Sequence, residues 1–325
     1  MNDPPVDFEI NGTIVAAGQR QRLELPVARL PTQTMLSLPI AVVNGKRPGP
    51  RLWLSAAIHG DEINGVEIIR QVLSQIDPEQ LSGTLIAVSI VNVFGFIEQS
   101  RYLPDRRDLN RCFPGSPRGS LAARLAHLFM QAVVSRCTHG IDLHTASHHR
   151  TNWPHVRANL QDPETCRCAR AFGTPLIVHA TMRDGSLRQA AAQRGIPILL
   201  YEAGEALRFE RDAIQMGVDG VLRVMSLLEM LPTQLPPPAS EPISVFDTRW
   251  VRAPCSGILH TQIGLGQRVV KKQTLGIVSD AFGDRLVKIA APCEGIAIGC
   301  TQNPLVNQGD GIFHIAVCSG FDVHS

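Results

Sequence analysis

The chain has no hydrophobic run long enough to cross a membrane as a helix, which takes about twenty apolar residues. Its start, Met1-Asn2-Asp3-Pro4-Pro5, lacks the basic-then-apolar layout of a secretory signal, so the cytoplasm is the expected location. Charge of one sign is also missing. A formal net charge of +2 gives no reason to expect nucleic acid or an anionic membrane as partner. Paired Cys-x-x-Cys knuckles are absent, which argues against a structural zinc site. Only Cys166 and Cys168 lie close together, and the eight cysteines read as reduced, structural thiols. Nor is there a disordered signature, with 44% hydrophobic and 18% charged residues.

What is present points to a sizeable core, and 325 residues suggest two domains. The apolar run Leu52-Trp53-Leu54-Ser55-Ala56-Ala57 reads as a buried strand, closed by Ile58-His59-Gly60-Asp61-Glu62. Ile63, Val66, Ile69, Leu73 and Ile76 then recur at helical spacing, with Asp61 and Glu62 expected in the first helical turn. His59 and Glu62 thus fall at a strand-to-helix corner. A second strand-like segment, residues 140–145, ends in His144. Ligands gather beyond the carboxyl ends of strands in an α/β sheet. Two imidazoles and one carboxylate make a three-ligand set with a fourth position open, the catalytic zinc pattern. Asp142 points to the same side of its strand as His144, and we expect it to hold the ring of His59 through the second imidazole nitrogen. Adjacent His148 and His149 read as loop residues or substrate contacts, and His127 as surface or core filling.

Residues 6–50 read as short strands (8–10, 13–15 and 40–43) leading into the fold, and residues 84–91 as a central strand covered on both faces. The alternation of strand, helix and strand predicts a three-layer α/β architecture. Residues 101–115 form a polar loop with four arginines in its first eleven positions. Two readings stand side by side: a solvated loop whose aspartates pair with its arginines, or a clamp whose guanidinium forks grip a substrate carboxylate and polarise a carbonyl.

A general base is expected from Glu202, at the end of the apolar strand 198–201, because a carboxylate buried there is costly without a purpose and its raised pKa suits proton transfer. Glu205 is the alternative, better read as a carboxylate at a helix N-terminus. Arg188, in a helix running from about Gly185 to Gly195, is either an exposed helical side chain or a contact to the substrate. A long helix over residues 205–231 closes the domain.

Residues 233–245 are proline-rich and read as a stiff linker between a catalytic domain, 1–232, and a small β domain, 246–325. Beyond the linker the chain repeats itself: Ala253-Pro254-Cys255-Ser256-Gly257-Ile258 returns as Ala291-Pro292-Cys293-Glu294-Gly295-Ile296. This pairing resembles the two halves of biotinyl/lipoyl-type barrels. The hairpin tip, residues 279–284, has no lysine to modify, so a non-carrier β domain is expected, shaping the site mouth or an oligomer contact.

His59-Gly60-Asp61-Glu62, Asp108-Leu109-Asn110-Arg111 with Phe113-Pro114-Gly115, and Asp142-Leu143-His144 stand in the order of the succinylglutamate desuccinylase/aspartoacylase family, a branch of the zinc carboxypeptidase-like hydrolases. The resemblance spans roughly residues 50–230. It implies a carboxypeptidase-like fold with a mixed sheet and a zinc-dependent amidohydrolase removing a small acyl group, of acetyl or succinyl type, from an N-acyl amino acid. It further implies one Zn2+ per chain on His59, Glu62 and His144, Asn110 and Arg111 as binders of the substrate carboxylate, and a catalytic Glu at position 202. For the carbonyl-polarising arginine, Arg101 precedes a Tyr as in aspartoacylase, but the loop to Asn110 is two residues longer, which leaves Arg107 as the other candidate. The partner expected is therefore a small molecule; a homo-oligomer is left open. Alternative readings are a metallocarboxypeptidase acting on short peptides and a catalytically silent metal-binding protein.

Overall fold

Strand Arg47–Ala56 is the axis of the fold, and its last five residues are fully buried because both its faces are covered. The computed structural model describes residues 6–147, 149–180 and 183–318. In it, Arg47–Ala56 pairs in parallel with Ser82–Val88 on one side and with His139–Ala146 on the other. The latter pairs in parallel with Ile198–Glu205, which in turn runs antiparallel to Arg150–Ala158. Among the described residues the mixed sheet has thirteen strands.

Helices pack on both faces. On one, Asn64–Gln75, Pro163–Phe172 and Arg211–Leu227 bury Ile68, Val72, Phe172 and Val221. On the other, Leu121–Ala132 and Leu187–Ala192 bury Leu125, Phe129 and Leu187 against Trp53 and Ile86. These helices start where local chemistry says they should. Ser120, Asp162 and Ser186 each accept a backbone N–H from three residues on, and Pro163 occupies the first turn of its helix.

Several boundaries differ from expectation. The helix after the His59 corner begins at Asn64, so Asp61 and Glu62 lie in a turn before it. Glu62 is held there by its own side-chain partners, and Gly60 packs so tightly that a Cβ would fall 2.0 Å from the Gly95 carbonyl carbon. The central strand ends at Val88, because the Val91 and Asn92 N–H groups turn back to the carbonyls of Ala56 and Ala57. Glu205 ends its strand and pairs with Arg208; the following helix covers only Arg211–Leu227. Of the lead-in, Phe8–Ile10 and Thr13–Val15 form a hairpin of their own, whereas Gln19–Arg29 and Met35–Asn44 extend the main sheet.

The C-terminal region is joined to the sheet rather than set apart from it. Ile243–Val245, at the end of the proline-rich stretch, pairs with Leu176–His179, and Gly295–Thr301 adds to the edge of Arg150–Ala158. Gly311–Val317 and Thr248–Arg252 continue the same sheet, while four further strands form a separate small sheet. The sequence repeat has a structural counterpart. The Ala253 carbonyl accepts from Gly309 N–H and the Ala291 carbonyl from Lys272 N–H, so each copy is tied to the turn that follows the other. Among the described residues no helix is long and apolar enough to cross a membrane.

Candidate metal centre and active-site cleft

The three strands Arg47–Ala56, His139–Ala146 and Ile198–Glu205 run in parallel, and their carboxyl ends open on a cleft of about 710 Å³. His59 follows the first, His144 lies near the end of the second, and Glu202 sits in register with His144 on the third. Neighbouring strands thereby bring together residues far apart in the chain.

His59, Glu62 and His144 are all buried, and one ligand atom from each lies within 4.8 Å of the others. The Glu62 carboxylate spans the pair: Oε1 is 2.7 Å from His59 Nδ1, and Oε2 is 2.7 Å from His144 Nδ1. The opposite nitrogen of each ring also faces a carboxylate. His59 Nε2 is 3.1 Å from Asp108 Oδ1, and His144 Nε2 is 2.7 Å from Asp142 Oδ2. Asp142 is fixed in turn by the Ser55 hydroxyl, which donates to Oδ1 at 2.8 Å. Asp142 therefore supports His144, not His59 as expected from the sequence. The i, i+2 spacing on one strand brings the two side chains together, and the 3₁₀ turn at Leu109–Arg111 delivers Asp108 to His59 instead.

Electrostatics agree with a cation at this point. Burial alone would raise Glu62, but the adjoining imidazoles of His59 and His144 outweigh it and hold the carboxyl well below its ordinary range. Burial likewise pushes both imidazoles down, yet Glu62 with Asp108 lifts His59, and Asp142 with Glu62 lifts His144 further. Three carboxylates close on two imidazoles with Arg101 as the guanidinium in contact, a donor set suited to a divalent ion. Nδ1 of each ring is turned to Glu62, so it is the nitrogen placed to ligate a metal, while Asp108 and Asp142 face the other nitrogen of each ring.

Arg101 reaches into the site, 3.3 Å from Glu62 Oε1, 2.9 Å from Asp108 Oδ2 and 3.2 Å from the Ser147 hydroxyl. Arg107 does not. Its side chain is 60% exposed, lies 3.8 Å from Asp105 and does not line the cleft, because the loop folds back on itself at Leu103–Arg107 and turns it outward. Asn110 is buried at the cleft wall. Its Oδ1 accepts Leu187 N–H at 2.9 Å, which leaves its amide N–H donors as what it offers a ligand. Arg111 lines the cleft and donates to the Asn110 carbonyl. Arg188 also lines it, bonded at 3.3 Å to the Ala180 carbonyl, its pKa brought down to about 10 by burial and by Arg157.

Glu202 opens on the cleft beside His144, and Asn152 donates to its Oε2 at 2.9 Å. Burial raises the Glu202 pKa above its ordinary value, against the pull of His144 and Arg157. His149 stands aside, its carbonyl accepting from Gln302 N–H at 2.6 Å, and His127 is a half-buried helix residue. His148 lies outside the described residues.

Residues 48–228 match the model of the succinylglutamate desuccinylase/aspartoacylase catalytic domain. The chain belongs to this family. Over 326 aligned residues it is 27% identical to N-alpha-acetyl-L-2,4-diaminobutyric acid deacetylase of Halomonas elongata, covering 96% of this chain and 93% of that one. It is similar in structure to a succinylglutamate desuccinylase/aspartoacylase from Rhodobacter sphaeroides, with a TM-score of 0.82, 26% identity and coverage of 91% and 95%. It also shares its fold with the product-bound ectoine utilization protein EutE (DoeB) of Ruegeria pomeroyi, at a TM-score of 0.83, 22% identity and coverage of 98% and 100%.

Two parts of this family member's cleft escape the sequence reading. Asp108 was visible only as part of a motif, with no sign that it backs His59. The strand Arg150–Ala158 supplies Arg150, Asn152, His155 and Arg157, and the C-terminal strands add Trp250 and His314. A signal existed for the strand: polar residues two apart on either side of Trp153-Pro154.

Proposed function

We propose that this chain is a zinc-dependent amidohydrolase that removes a small acyl group, of acetyl or succinyl type, from an N-acyl amino acid. The observation that carries the reading is the buried His59–Glu62–His144 cluster with Glu202 in register beside His144, at the floor of a cleft rich in arginine. The acetyl-diaminobutyrate deacetylase named among its relatives supports the reaction class.

His59 Nδ1, Glu62 and His144 Nδ1 would hold the metal, one ion per chain. When bound, the ion supplies Lewis acidity toward the amide carbonyl and lowers the pKa of water. Glu202 takes a proton from the attacking water on its carboxylate and returns it to the departing amide nitrogen, a task suited to a carboxyl whose pKa burial has raised. Arg101, already fixed by Glu62 and Asp108, presents its guanidinium to the oxygen on which negative charge develops. Asn110 and Arg111 receive the amino-acid carboxylate through N–H donors. Arg188 is a further contact to the substrate. Beyond residue 245 we read the β unit as a biotinyl/lipoyl-type barrel without a carrier lysine, serving as one wall of the cleft.

Zinc-loaded protein is to be assayed with acetyl-, succinyl- and formyl-amino acids and with short peptides. Release of free amino acid from the acyl compounds, abolished by chelation and restored by zinc, is the expected result. Turnover confined to peptides makes the chain a carboxypeptidase instead.

A further inference from the structure

Strict alternation along the strand Arg150–Ala158 would put Asn152 and His155 on opposite faces. Opposite Glu202–Gly204, however, the span Asn152–His155 carries one residue more than its partner. This bulge at Trp153-Pro154 returns His155 to the cleft face that Asn152 already occupies. His155 therefore stands in register with Glu202, as His144 does from the other side. Three neighbouring strands, spaced about 4.8 Å apart, present His144, Glu202 and His155 in one row along the cleft.

The proposed chemistry uses the first two members of that row and leaves the third without a task. His155 is only 1% exposed, and its ring is locked in one sense. Nδ1–H donates to the Trp153 carbonyl at 2.7 Å. Burial and then Arg157 push the imidazole down to about 3, against the pull of that bond, so the ring is neutral and Nε2 carries a bare lone pair. Among the described residues Nε2 has no hydrogen-bond partner. Two other imidazoles line the cleft away from the metal centre, and both differ. His179 Nδ1 accepts Leu160 N–H at 3.1 Å, which puts a proton on Nε2 and makes that atom a donor. His314 stacks on Trp250 with ring centroids 4.4 Å apart, and no hydrogen bond among the described residues fixes its tautomer. Of the three, only His155 is built as an uncharged acceptor.

An acceptor buried in a cleft wall is stable when a donor meets it. The backbone of an N-acyl amino acid offers a carboxylate, a carbonyl and a single N–H donor. That N–H sits on the nitrogen whose bond to the carbonyl is broken. Six arginines and the Asn110 amide line the cleft as donors for the oxygens, and His155 Nε2 is left for the N–H. The row has the order of the amide itself: the carbonyl toward His144, the nitrogen at Glu202, and its hydrogen pointing on to His155. Held by that hydrogen, the nitrogen keeps free the lone pair that develops as the carbonyl carbon becomes tetrahedral. Glu202 delivers to this lone pair the proton taken from water, the C–N bond breaks, and the original N–H stays on the departing amine.

We propose that His155 is a substrate-positioning residue whose Nε2 accepts the N–H of the scissile amide and turns the nitrogen toward Glu202. The inference rests on the deacylase reading and adds to it a residue that the reaction needs for amides alone.

Matched compounds that differ only at this N–H test it: N-acetyl-L-alanine against O-acetyl-L-lactate, and N-succinyl-L-alanine against O-succinyl-L-lactate, whose ester oxygen carries no hydrogen. kcat and KM are measured on all four with zinc-loaded wild type, His155→Leu and His155→Gln, after matching zinc content and Tm; His155→Phe replaces His155→Leu where the latter does not fold. Loss of the acceptor is expected to lower kcat/KM for the amide by about tenfold or more and for its ester by no more than about twofold. His155→Gln, whose side-chain oxygen still accepts, recovers part of the amide loss. Equal losses on amide and ester, or an amide rate unchanged without the acceptor, overturn the proposal while the deacylase reading stands. Absence of amide turnover by the wild type in both pairs removes the deacylase reading and the role of His155 with it.

Discussion

A single carboxylate, Glu202, separates a hydrolase from a metal-binding protein in this account. Its burial raises its pKa, against His144 and Arg157, and the Asn152 amide donates to its Oε2, a bond that favours the ionised form. The sign follows. kcat/KM falls as pH drops through the Glu202 pKa, and Asn152→Ala moves that acid limb to higher pH, which a pH–rate profile reads directly. Glu202→Gln is expected to lower kcat by about a hundredfold or more with zinc content and fold intact; near-normal turnover removes Glu202 from the role. The two candidate arginines differ in the same plain way. Arg101→Ala should cost about a hundredfold in kcat, as loss of an oxyanion donor does, whereas Arg107→Ala, altering an exposed side chain, should stay within about twofold. At this scale the chemistry-bearing residues were legible because imidazole and carboxylate at strand ends have few other uses. Partners were not: the sequence put Asp142 against His59, and only the 3₁₀ turn shows Asp108 there instead. Asp108→Asn and Asp142→Asn should each weaken zinc affinity by about 10- to 100-fold, measured by competition with a chelating dye.

Elements position these residues through backbone turns that apolar periodicity does not report. The buried strand ending at Ala56 was readable from its aliphatic run, but the helix after it begins later than the spacing suggested. The intervening turn is shaped by Glu62's contacts and by the close approach of Gly60 to Gly95. Gly60→Ala must displace one backbone segment from the other, and should destabilise the protein by about 1–3 kcal/mol in urea unfolding and loosen the metal centre with it. An unchanged unfolding midpoint would show that the turn has room to spare. The strand Arg150–Ala158 was hidden for a different reason. Its bulge breaks the two-residue alternation and its proline argues against a central strand, so the polar residues two apart on either side of Trp153-Pro154 do not join into one strand pattern.

Across the whole molecule, composition and motif order anticipated an α/β hydrolase with helices on both faces of a mixed sheet. They left open how the C-terminal part attaches. A proline-rich stretch followed by a β-rich repeat reads as a linker and a small β domain at the site mouth or an oligomer contact; in the structure Gly295–Thr301 hydrogen-bonds to the edge of the catalytic sheet, and Trp250 and His314 line the cleft. Pairing between segments some 150 residues apart leaves no local trace, whereas the repeat itself is written in the sequence and reappears as reciprocal bonds at Ala253 and Ala291. The cleft is thus a product of both halves of the chain. The proposed hydrolase depends on one ion held where three distant residues meet. Anomalous scattering at the zinc edge, from crystals of zinc-loaded protein, tests this most directly. One strong peak at about 2.0–2.2 Å from His59 Nδ1, a Glu62 oxygen and His144 Nδ1 is the predicted result. A peak instead at the other group of potential ligands, His139, Glu164 and Cys168, with none between His59 and His144, would contradict it.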